Sequence, residues 1–269
     1  MEYSLSVNHY ICDEKTPFPR FAEMVQKAGI GSVGVTRAAL FEMGVPALGQ
    51  CLKDNGLGVS SLCSAGYFTG TQPETKAKFD DGEMIDIAAE LGAATLTVIS
   101  DGAGDPAQPF ADAYALVETG LAKMAAQAEA KGVILGVEPI HPNHILARGC
   151  INTIAHALKI VEPHASARLL LDFNHSWWVP DFPDLLTRAP ETVALIQMCN
   201  LKFKDGYAVG RETLSGGDLD MGQMIRELTA GGFQGPFEFE LFPGDLRGRD
   251  IQTLISDYAK EFAESVAAV

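Results

Sequence analysis

The stretch AKGVILGVE, residues 130–138, contains the unit that decides the fold. A helical pattern ends there at a glycine, a short apolar run follows, and a carboxylate closes the run. Glycine directly after a helix is a common stop, because it adopts the left-handed conformation without steric cost. A continuous apolar run is typical of a parallel strand that is covered on both faces. The stretch therefore predicts the end of a helix and a buried parallel strand after it.

The same unit recurs along the chain. Short strand-like runs are predicted at residues 3–8, 30–35, 57–63, 93–100, 133–138, 167–172, 192–199 and 237–241. Helices are predicted between them, at residues 18–28, 37–55, 84–91, 111–130, 153–161, 182–188, 221–229 and 251–266. Gly44 and Pro46 predict a break inside the second of these helices. Eight strands alternating with eight helices predict a single-domain (β/α)8 TIM barrel over residues 1–269.

A doubly wound open sheet is the alternative arrangement for such a pattern. That fold places a glycine-rich phosphate-binding turn after its first strand. Residues 8–12, NHYIC, contain no glycine, so the barrel is the favoured prediction.

The charge balance and the cysteines limit the partners and the compartment. The chain carries 20 Lys and Arg residues against 35 Asp and Glu residues, a net charge of −15. Such a charge repels a phosphate backbone, so we expect no nucleic-acid partner. No apolar run approaches the length of a membrane span, and the first residues lack a secretion signal, so we expect no membrane partner. Five scattered cysteines without a CxxC pair are typical of reduced thiols, and we expect a cytoplasmic location.

Three carboxylates stand where strands are predicted to end. Glu138, Asp172 and Glu240 each follow an apolar run. Chemistry in a (β/α)8 barrel lies at these strand ends, so the three side chains are expected to converge. Three converging anions repel one another, and a divalent cation such as Mg²⁺ or Mn²⁺ removes that repulsion. The alternative is that each carboxylate caps a helix or pairs with Lys or Arg at the rim.

The last strand, residues 237–241, adds a second glutamate on the same face as Glu240. Alternation along FEFEL turns Glu238 and Glu240 into the barrel and both phenylalanines outwards. Glu240 is predicted to lie nearer the mouth. Glu238 is predicted to lie one layer deeper, beside a buried partner.

Four segments resemble one family, the xylose-isomerase-like (β/α)8 barrels of sugar isomerases, epimerases and related lyases. The segments are VEPIHP at 137–142, LDFNHSWW at 171–178, RETLSGGDLD at 211–220 and GFQGPFEFEL at 232–241. The resemblance spans about residues 3–260. It implies one divalent metal ion held by a Glu, an Asp, a His or Gln, and a final Glu. Glu138, Asp172 and Glu240 match three of those ligands.

The fourth ligand has two possible positions in the segment IQMCNLKFKD, residues 196–205. The family pattern of His or Gln, two residues, then Asp places either Gln197 or Lys202 at the ligand position. An amide oxygen ligates Mg²⁺ or Mn²⁺, whereas an ammonium group does not. Apolar character stops near Cys199, which favours Gln197 as the strand-end residue. The Lys202 alternative predicts a metal-free barrel in which an ammonium group takes the place of the cation.

The resemblance also implies substrate and catalytic roles for residues after strands five, six and seven. His175 and Arg211 match substrate contacts, and Trp177 is a candidate apolar wall or subunit contact. Epimerases of the family carry a second glutamate six residues after the strand-five ligand, and His144 stands there instead. His141, His144 and Glu240 are therefore the candidate bases.

The predicted function is that of a metal-dependent sugar isomerase or epimerase acting on a ketose or keto-sugar through a cis-enediolate. The substrate is expected to be a small carbohydrate, and a homo-oligomer or hetero-oligomer is possible. A lyase that eliminates water or an aglycone from a keto-sugar is the alternative, since the same proton abstraction starts both reactions. A non-catalytic barrel and an endonuclease are weaker alternatives, because an endonuclease needs more metal ligands and a basic groove.

Overall fold

Strands and helices alternate along the chain as the sequence predicts. The computed structural model describes residues 3–76, 78–179, 182, 184, 185 and 189–267. Its strands are β1 (Leu5–Asn8), β2 (Ser32–Thr36), β3 (Gly58–Gly66), β4 (Leu96–Ile99), β5 (Leu135–Val137), β6 (Ala167–Asp172), β7 (Val193–Met198), β8 (Asn200–Lys204), β9 (Tyr207–Glu212) and β10 (Phe237–Phe239). In this described part, β1 to β7 and β10 form a closed barrel of eight parallel strands. The predicted (β/α)8 fold is confirmed.

Helices surround the barrel. They are α1 (Phe18–Lys27), α2 (Arg37–Met43), α3 (Val45–Asp54), α4 (Pro73–Lys76), α5 (Asp81–Leu91), α6 (Phe110–Lys131), α7 (Ile154–Val161), α8 (Phe173–Ser176), α9 (Met221–Ala230) and α10 (Ile251–Ala267). The predicted break at Gly44 is confirmed, because α2 ends before it and α3 begins after it. Most of the helix predicted at 182–188 lies outside the described residues. Among the described helices, none has the length and apolar character needed to cross a membrane.

The last strand shows how the core divides into two layers. Phe239 stacks on Tyr258 of α10, with ring centroids 4.6 Å apart. The Tyr258 hydroxyl donates to the carbonyl oxygen of Phe237 at 2.8 Å. Both phenylalanines thus face the helices, as the alternation predicts, and the glutamates of the same strand face the barrel interior.

Beneath the mouth, the barrel interior is polar and centred on the fully buried Glu238. A carboxylate at this depth is costly unless hydrogen-bond donors surround it. Its oxygens accept from Asn8 Nδ2 at 2.7 Å, Ser60 Oγ at 2.6 Å, Ser61 Oγ at 2.8 Å and Gln197 Nε2 at 3.0 Å. The donors come from β1, β3 and β7, so the network joins strands across the barrel.

Gly34 of β2 leaves room for this network. A Cβ atom at Gly34 would lie 2.7 Å from Asn8 Nδ2, 2.7 Å from Glu238 Oε2 and 2.8 Å from Ser61 Oγ. We expect Gly34→Ala to lower the free energy of unfolding by about 1–3 kcal/mol, the usual cost of overpacking a core. Gly31→Ala is the matched control, because a Cβ atom there meets nothing within 4 Å. Denaturant unfolding of the two variants measures the difference, and equal stabilities would contradict this explanation.

The sequence predicted neither the short helices α4 and α8 nor the hairpin that follows β7. Strands β8 and β9 form an antiparallel hairpin outside the barrel, in the segment predicted to be a loop. The pairing runs from Asn200 opposite Glu212 to Lys204 opposite Tyr207. The first strand of the hairpin, β8, begins directly after β7. The second strand, β9, runs back over the mouth of the barrel.

Candidate active site

The three predicted carboxylates meet at the mouth of the barrel. Glu138 follows β5, Asp172 ends β6 and Glu240 follows β10. They are 6%, 0% and 5% exposed, respectively. Parallel strands end at the same edge, so residues far apart in sequence converge there. Glu138 and Glu240 line a shared cavity whose water-accessible space is about 60 Å³.

His175 joins Glu138 and Asp172 in a compact buried cluster. The Asp172 carboxylate accepts from the backbone N–H of Asn174 at 2.8 Å and so begins the short helix α8. One turn later, His175 Nε2 lies 3.6 Å from Glu138 Oε1 and 3.6 Å from Asp172 Oδ2. One donor atom from each of the three residues lies within 4.8 Å of the others, a spacing that could hold a metal ion.

Gln197 occupies the mouth, whereas Lys202 does not. Gln197 Nε2 donates to Glu238 Oε1 at 3.0 Å and to Glu240 Oε1 at 2.9 Å. The buried Gln197 Oε1 has no hydrogen-bond partner among the described residues. Lys202 Nζ instead bonds Asp218 Oδ1 at 2.8 Å on the hairpin side. The geometry favours the strand-end position predicted for Gln197, and the Lys202 alternative has no support from it.

Arg211 enters the same site from β9. Its Nη2 and Nη1 atoms donate to the two Asp172 oxygens at 2.7 and 3.2 Å. Nη1 also lies 3.0 Å from Glu240 Oε2, and the guanidinium lies over the Phe242 ring, 5.0 Å from its centroid. This paired geometry suits a planar guanidinium and fixes its position. The residue predicted to contact substrate therefore also neutralises two of the predicted metal ligands.

Burial and charge act differently on the acidic groups of the site. Burial, with repulsion from Asp172 and Glu240, raises the pKa of Glu138 well above its usual range. Burial, partly offset by Arg211, raises the pKa of Glu240 to about 8. Burial would also raise the pKa of Asp172, but Arg211 and His175 hold that pKa below its usual value. The site thus contains one readily ionised carboxylate, Asp172, and two carboxylates, Glu138 and Glu240, that hold a proton more strongly than usual.

The pKa of His175 is lowered, whereas the pKa values of Glu138 and Glu240 are raised. Burial lowers the pKa of His175 to about 4, against the opposing effect of Asp172. Its Nδ1 lies 3.2 Å from Asn174 Nδ2. An amide nitrogen donates and does not accept, so Nδ1 is the acceptor and the ring proton is on Nε2. A neutral imidazole therefore presents an N–H group toward Glu138 and Asp172.

The donor set fits a divalent cation. Carboxylate and amide oxygens are the ligands that Mg²⁺ and Mn²⁺ prefer, and the His175 imidazole could ligate through Nε2 only in the tautomer that carries its proton on Nδ1. The partnerless Gln197 Oε1 is the observation that tests the fit, since a buried amide oxygen without a partner is costly and a cation would satisfy it. Within the described residues, Glu138, Asp172 and His175 lie close enough together to hold one ion, and the other two predicted ligands, Gln197 and Glu240, line the same cavity as Glu138 and His175.

Three predicted site residues other than Asp172 do not line this cavity. His141 and His144 stand on the loop after β5, half-buried and exposed respectively. The His141 ring packs against Trp178 with centroids 4.6 Å apart, and the His144 ring centre lies 6.4 Å from that of His175. Trp177 is half-buried and packs against Phe203 of the hairpin at 5.3 Å. None of the three lines the cavity with Glu138 and Glu240.

Sequence reasoning missed several residues that do line the cavity. Tyr10 follows β1, Tyr67 follows β3 and Arg148 lies on the loop after β5. The rule that strand ends carry the chemistry could have found Tyr10 and Tyr67. Arg148 lies eleven positions beyond the last residue of β5, Val137, so no strand-end pattern marks it.

The sequence and the fold match a known family. The family model described as "Xylose isomerase-like TIM barrel" matches residues 22–262. The chain belongs to this family. No curated protein matches it.

Solved structures share the same architecture. Protein SMc04130 from Sinorhizobium meliloti 1021 is 28% identical, with a TM-score of 0.86 over 97% of this chain and 98% of its own. An L-ribulose 3-epimerase is 17% identical, with a TM-score of 0.75 over 99% and 95% of the two chains. The IolI protein, whose structure contains a zinc atom, is 16% identical, with a TM-score of 0.76 over 98% of each chain. For these last two structures, which are 17% and 16% identical to the chain, the similarity is evidence for the shared fold alone.

Proposed function

We propose that the protein is a metal-dependent isomerase or epimerase that moves a proton at the carbon next to a carbonyl group of a sugar. The observation that carries this proposal is the buried Gln197 Oε1, which has no hydrogen-bond partner among the described residues, while Nε2 of the same side chain donates to the Glu240 carboxylate. Family membership and the L-ribulose 3-epimerase with the same fold support it. A divalent cation held by Glu138, Asp172, Gln197 and Glu240 would act as a Lewis acid that acidifies the C–H group beside the carbonyl.

Glu240 is the proposed base. Its pKa of about 8 gives it a more basic oxygen than an ordinary carboxylate, which suits proton abstraction near neutral pH. Gln197 Nε2 holds one oxygen at 2.9 Å and Arg211 lies 3.0 Å from the other, so the group is oriented. Removing the proton gives an enediolate form of the substrate, and returning it to another carbon or another face gives the product.

His175 and Arg211 are proposed to orient the substrate. The neutral His175 offers its Nε2–H group to a substrate hydroxyl without adding a positive charge. The Arg211 guanidinium keeps its charge and offers N–H groups to an oxygen that becomes negative in the enediolate. These contacts hold the reacting carbon near Glu240 and stabilise the charge that develops.

Deuterium exchange tests the proposal. The protein is incubated with Mn²⁺ and a panel of ketoses and keto-sugars in D₂O, and the products are followed by NMR. We expect deuterium at the carbon next to the carbonyl of at least one compound, and the product distinguishes isomerisation from epimerisation. The heat-unfolded protein is the control. No deuterium above that control in any compound would refute the proposed proton transfer.

The lyase alternative has less support. The sequence features that favour it are Trp177, Trp178 and the histidines after Glu138. Trp177 packs against the hairpin, and His141 packs against Trp178 at the rim. The same NMR spectra would reveal an unsaturated product if elimination occurred.

A further inference from the structure

Arg148 differs from the other charged residues of the cavity. It lines the cavity with Glu138, His175, Arg211 and Glu240. Arg211 is paired with a carboxylate, but the Arg148 side chain has no hydrogen bond or ion pair with any residue in the described part of the chain. An unpaired guanidinium that lines a cavity is available to an anion from outside, although the net charge of −15 opposes the approach of any anion over long range.

Arg148 lines the same cavity as Glu240 and His175, so a molecule in that cavity can contact all three residues. Arg148 is exposed, whereas Glu240 and His175 are buried.

The turn that carries Arg148 is held by hydrogen bonds that connect it to one buried carboxylate, that of Asp101. Asp101 is fully buried and has a positive φ of 70°, unusual for a residue with a side chain. Its carboxylate accepts from Thr71 N at 2.7 Å and from Gln72 Nε2 at 3.0 Å. Gln72 Nε2 also donates to the carbonyl oxygen of Ala147 at 3.1 Å, directly before Arg148. The loops after β3, β4 and β5 are thereby tied together, so the backbone of Arg148 is fixed.

We propose that Arg148 binds an oxyanion of the substrate, so that the site takes an acidic keto-sugar rather than a neutral one. This inference rests on the proposed function. A guanidinium matches the oxygens of a carboxylate or a phosphate with two parallel hydrogen bonds. Both oxyanions share this chemistry, and the experiment separates them.

The test compares three probes: D-fructose, D-fructose 6-phosphate and 5-keto-D-gluconate. Dissociation constants are measured from the fluorescence of Trp177 and Trp178, which lie near the mouth, and by calorimetry. We expect at least one anionic probe to bind about 10-fold or more tightly than D-fructose. Arg148→Gln should weaken that binding by about 10- to 100-fold, the range for a charge-assisted hydrogen bond. Binding of D-fructose should change much less than binding of the anionic probe, because D-fructose has no anionic group for Arg148 to bind.

Two further variants test whether the change in affinity is specific to the guanidinium group of Arg148. Arg148→Lys retains the charge and should retain part of the affinity. Arg20→Gln removes the same charge from an exposed position on α1 and should leave all three affinities unchanged. The phosphate and the carboxylate probe show which oxyanion is preferred.

The outcomes separate this inference from the proposed function. Tight binding of an anionic probe that Arg148→Gln leaves unchanged, or failure of both anionic probes to bind the wild type, overturns the inference. If the wild-type protein exchanges deuterium with D-fructose but with neither anionic probe, the proposed function stands and the anion site is rejected. The absence of exchange with every compound rejects the proposed function itself.

Discussion

Replacing Glu240 by Gln is expected to lower turnover by about 10²-fold or more, the scale expected for loss of a positioned general base. The amide keeps the shape and one oxygen ligand but removes the basic carboxylate. Metal affinity should fall as well, because a charged ligand becomes neutral. Folding should survive, since Glu240 is a buried carboxylate whose raised pKa shows that its charge is unfavourable there. Steady-state rates at saturating substrate and Mn²⁺, with thermal unfolding curves, measure these effects.

Two matched variants interpret the Glu240→Gln result. Glu238→Gln changes the same strand one layer deeper and should mainly lower stability, because a carboxylate that accepts from Asn8 and Ser60 becomes an amide that also donates. Glu227→Gln neutralises an exposed carboxylate on α9 and should alter neither property. Near-normal turnover of Glu240→Gln at saturation would remove Glu240 from the mechanism and leave His141 or His144 as the base.

Removing divalent metal is expected to lower activity to background. We expect about one ion per chain in the purified protein by elemental analysis, and dialysis against EDTA should reduce turnover by at least about 10²-fold. Mn²⁺ or Mg²⁺ should restore it. The ion should also stabilise the fold, by about 2.7 kcal/mol at a concentration 100 times its dissociation constant. Thermal unfolding with and without Mn²⁺ measures this without an activity assay.

Glu138→Gln and Glu129→Gln form the control pair for metal binding. The first neutralises a buried carboxylate of the candidate metal site and should reduce the stabilisation by Mn²⁺. The second neutralises an exposed carboxylate on α6 and should not. A fully active protein that contains no metal would contradict metal dependence. In that case Arg211, which already contacts Asp172 and Glu240, would be the cation of the site.

Most of the barrel was predictable because each strand is a short apolar run that follows a helix stop. The limits of the helices depend on local capping that periodicity does not reveal. Helix α5 begins at Asp81, three residues before the prediction, because Asp80 and Glu83 form a capping box. The sequence of the hairpin contains a turn signal, the dipeptide Asp205-Gly206. Asp205 and Gly206 both have positive φ, 54° and 84°, and Asp-Gly is a strong turn signal between paired strands.

The candidate site was predictable in position and less so in its contacts. Strand ends located Glu138, Asp172, Gln197 and Glu240, since the barrel brings those ends together whatever the loops do. The pairing of Arg211 with Asp172 joins residues 39 positions apart and depends on the hairpin, so no local pattern reveals it. His141 and His144 are near Glu138 in sequence, but the loop turns them toward the rim.

The hairpin has a consequence for how such a protein can change during evolution. Its strands pair with each other and not with the barrel. Its base is held by Glu212 with Arg247 and Arg249, and by Asp218, which accepts from Phe203 N at 2.8 Å. Insertions and substitutions between Asn200 and Glu212 can therefore shift the Arg211 charge without altering any barrel register. Natural selection can therefore change this segment, and with it the substrates that the site binds, while the barrel keeps the same fold.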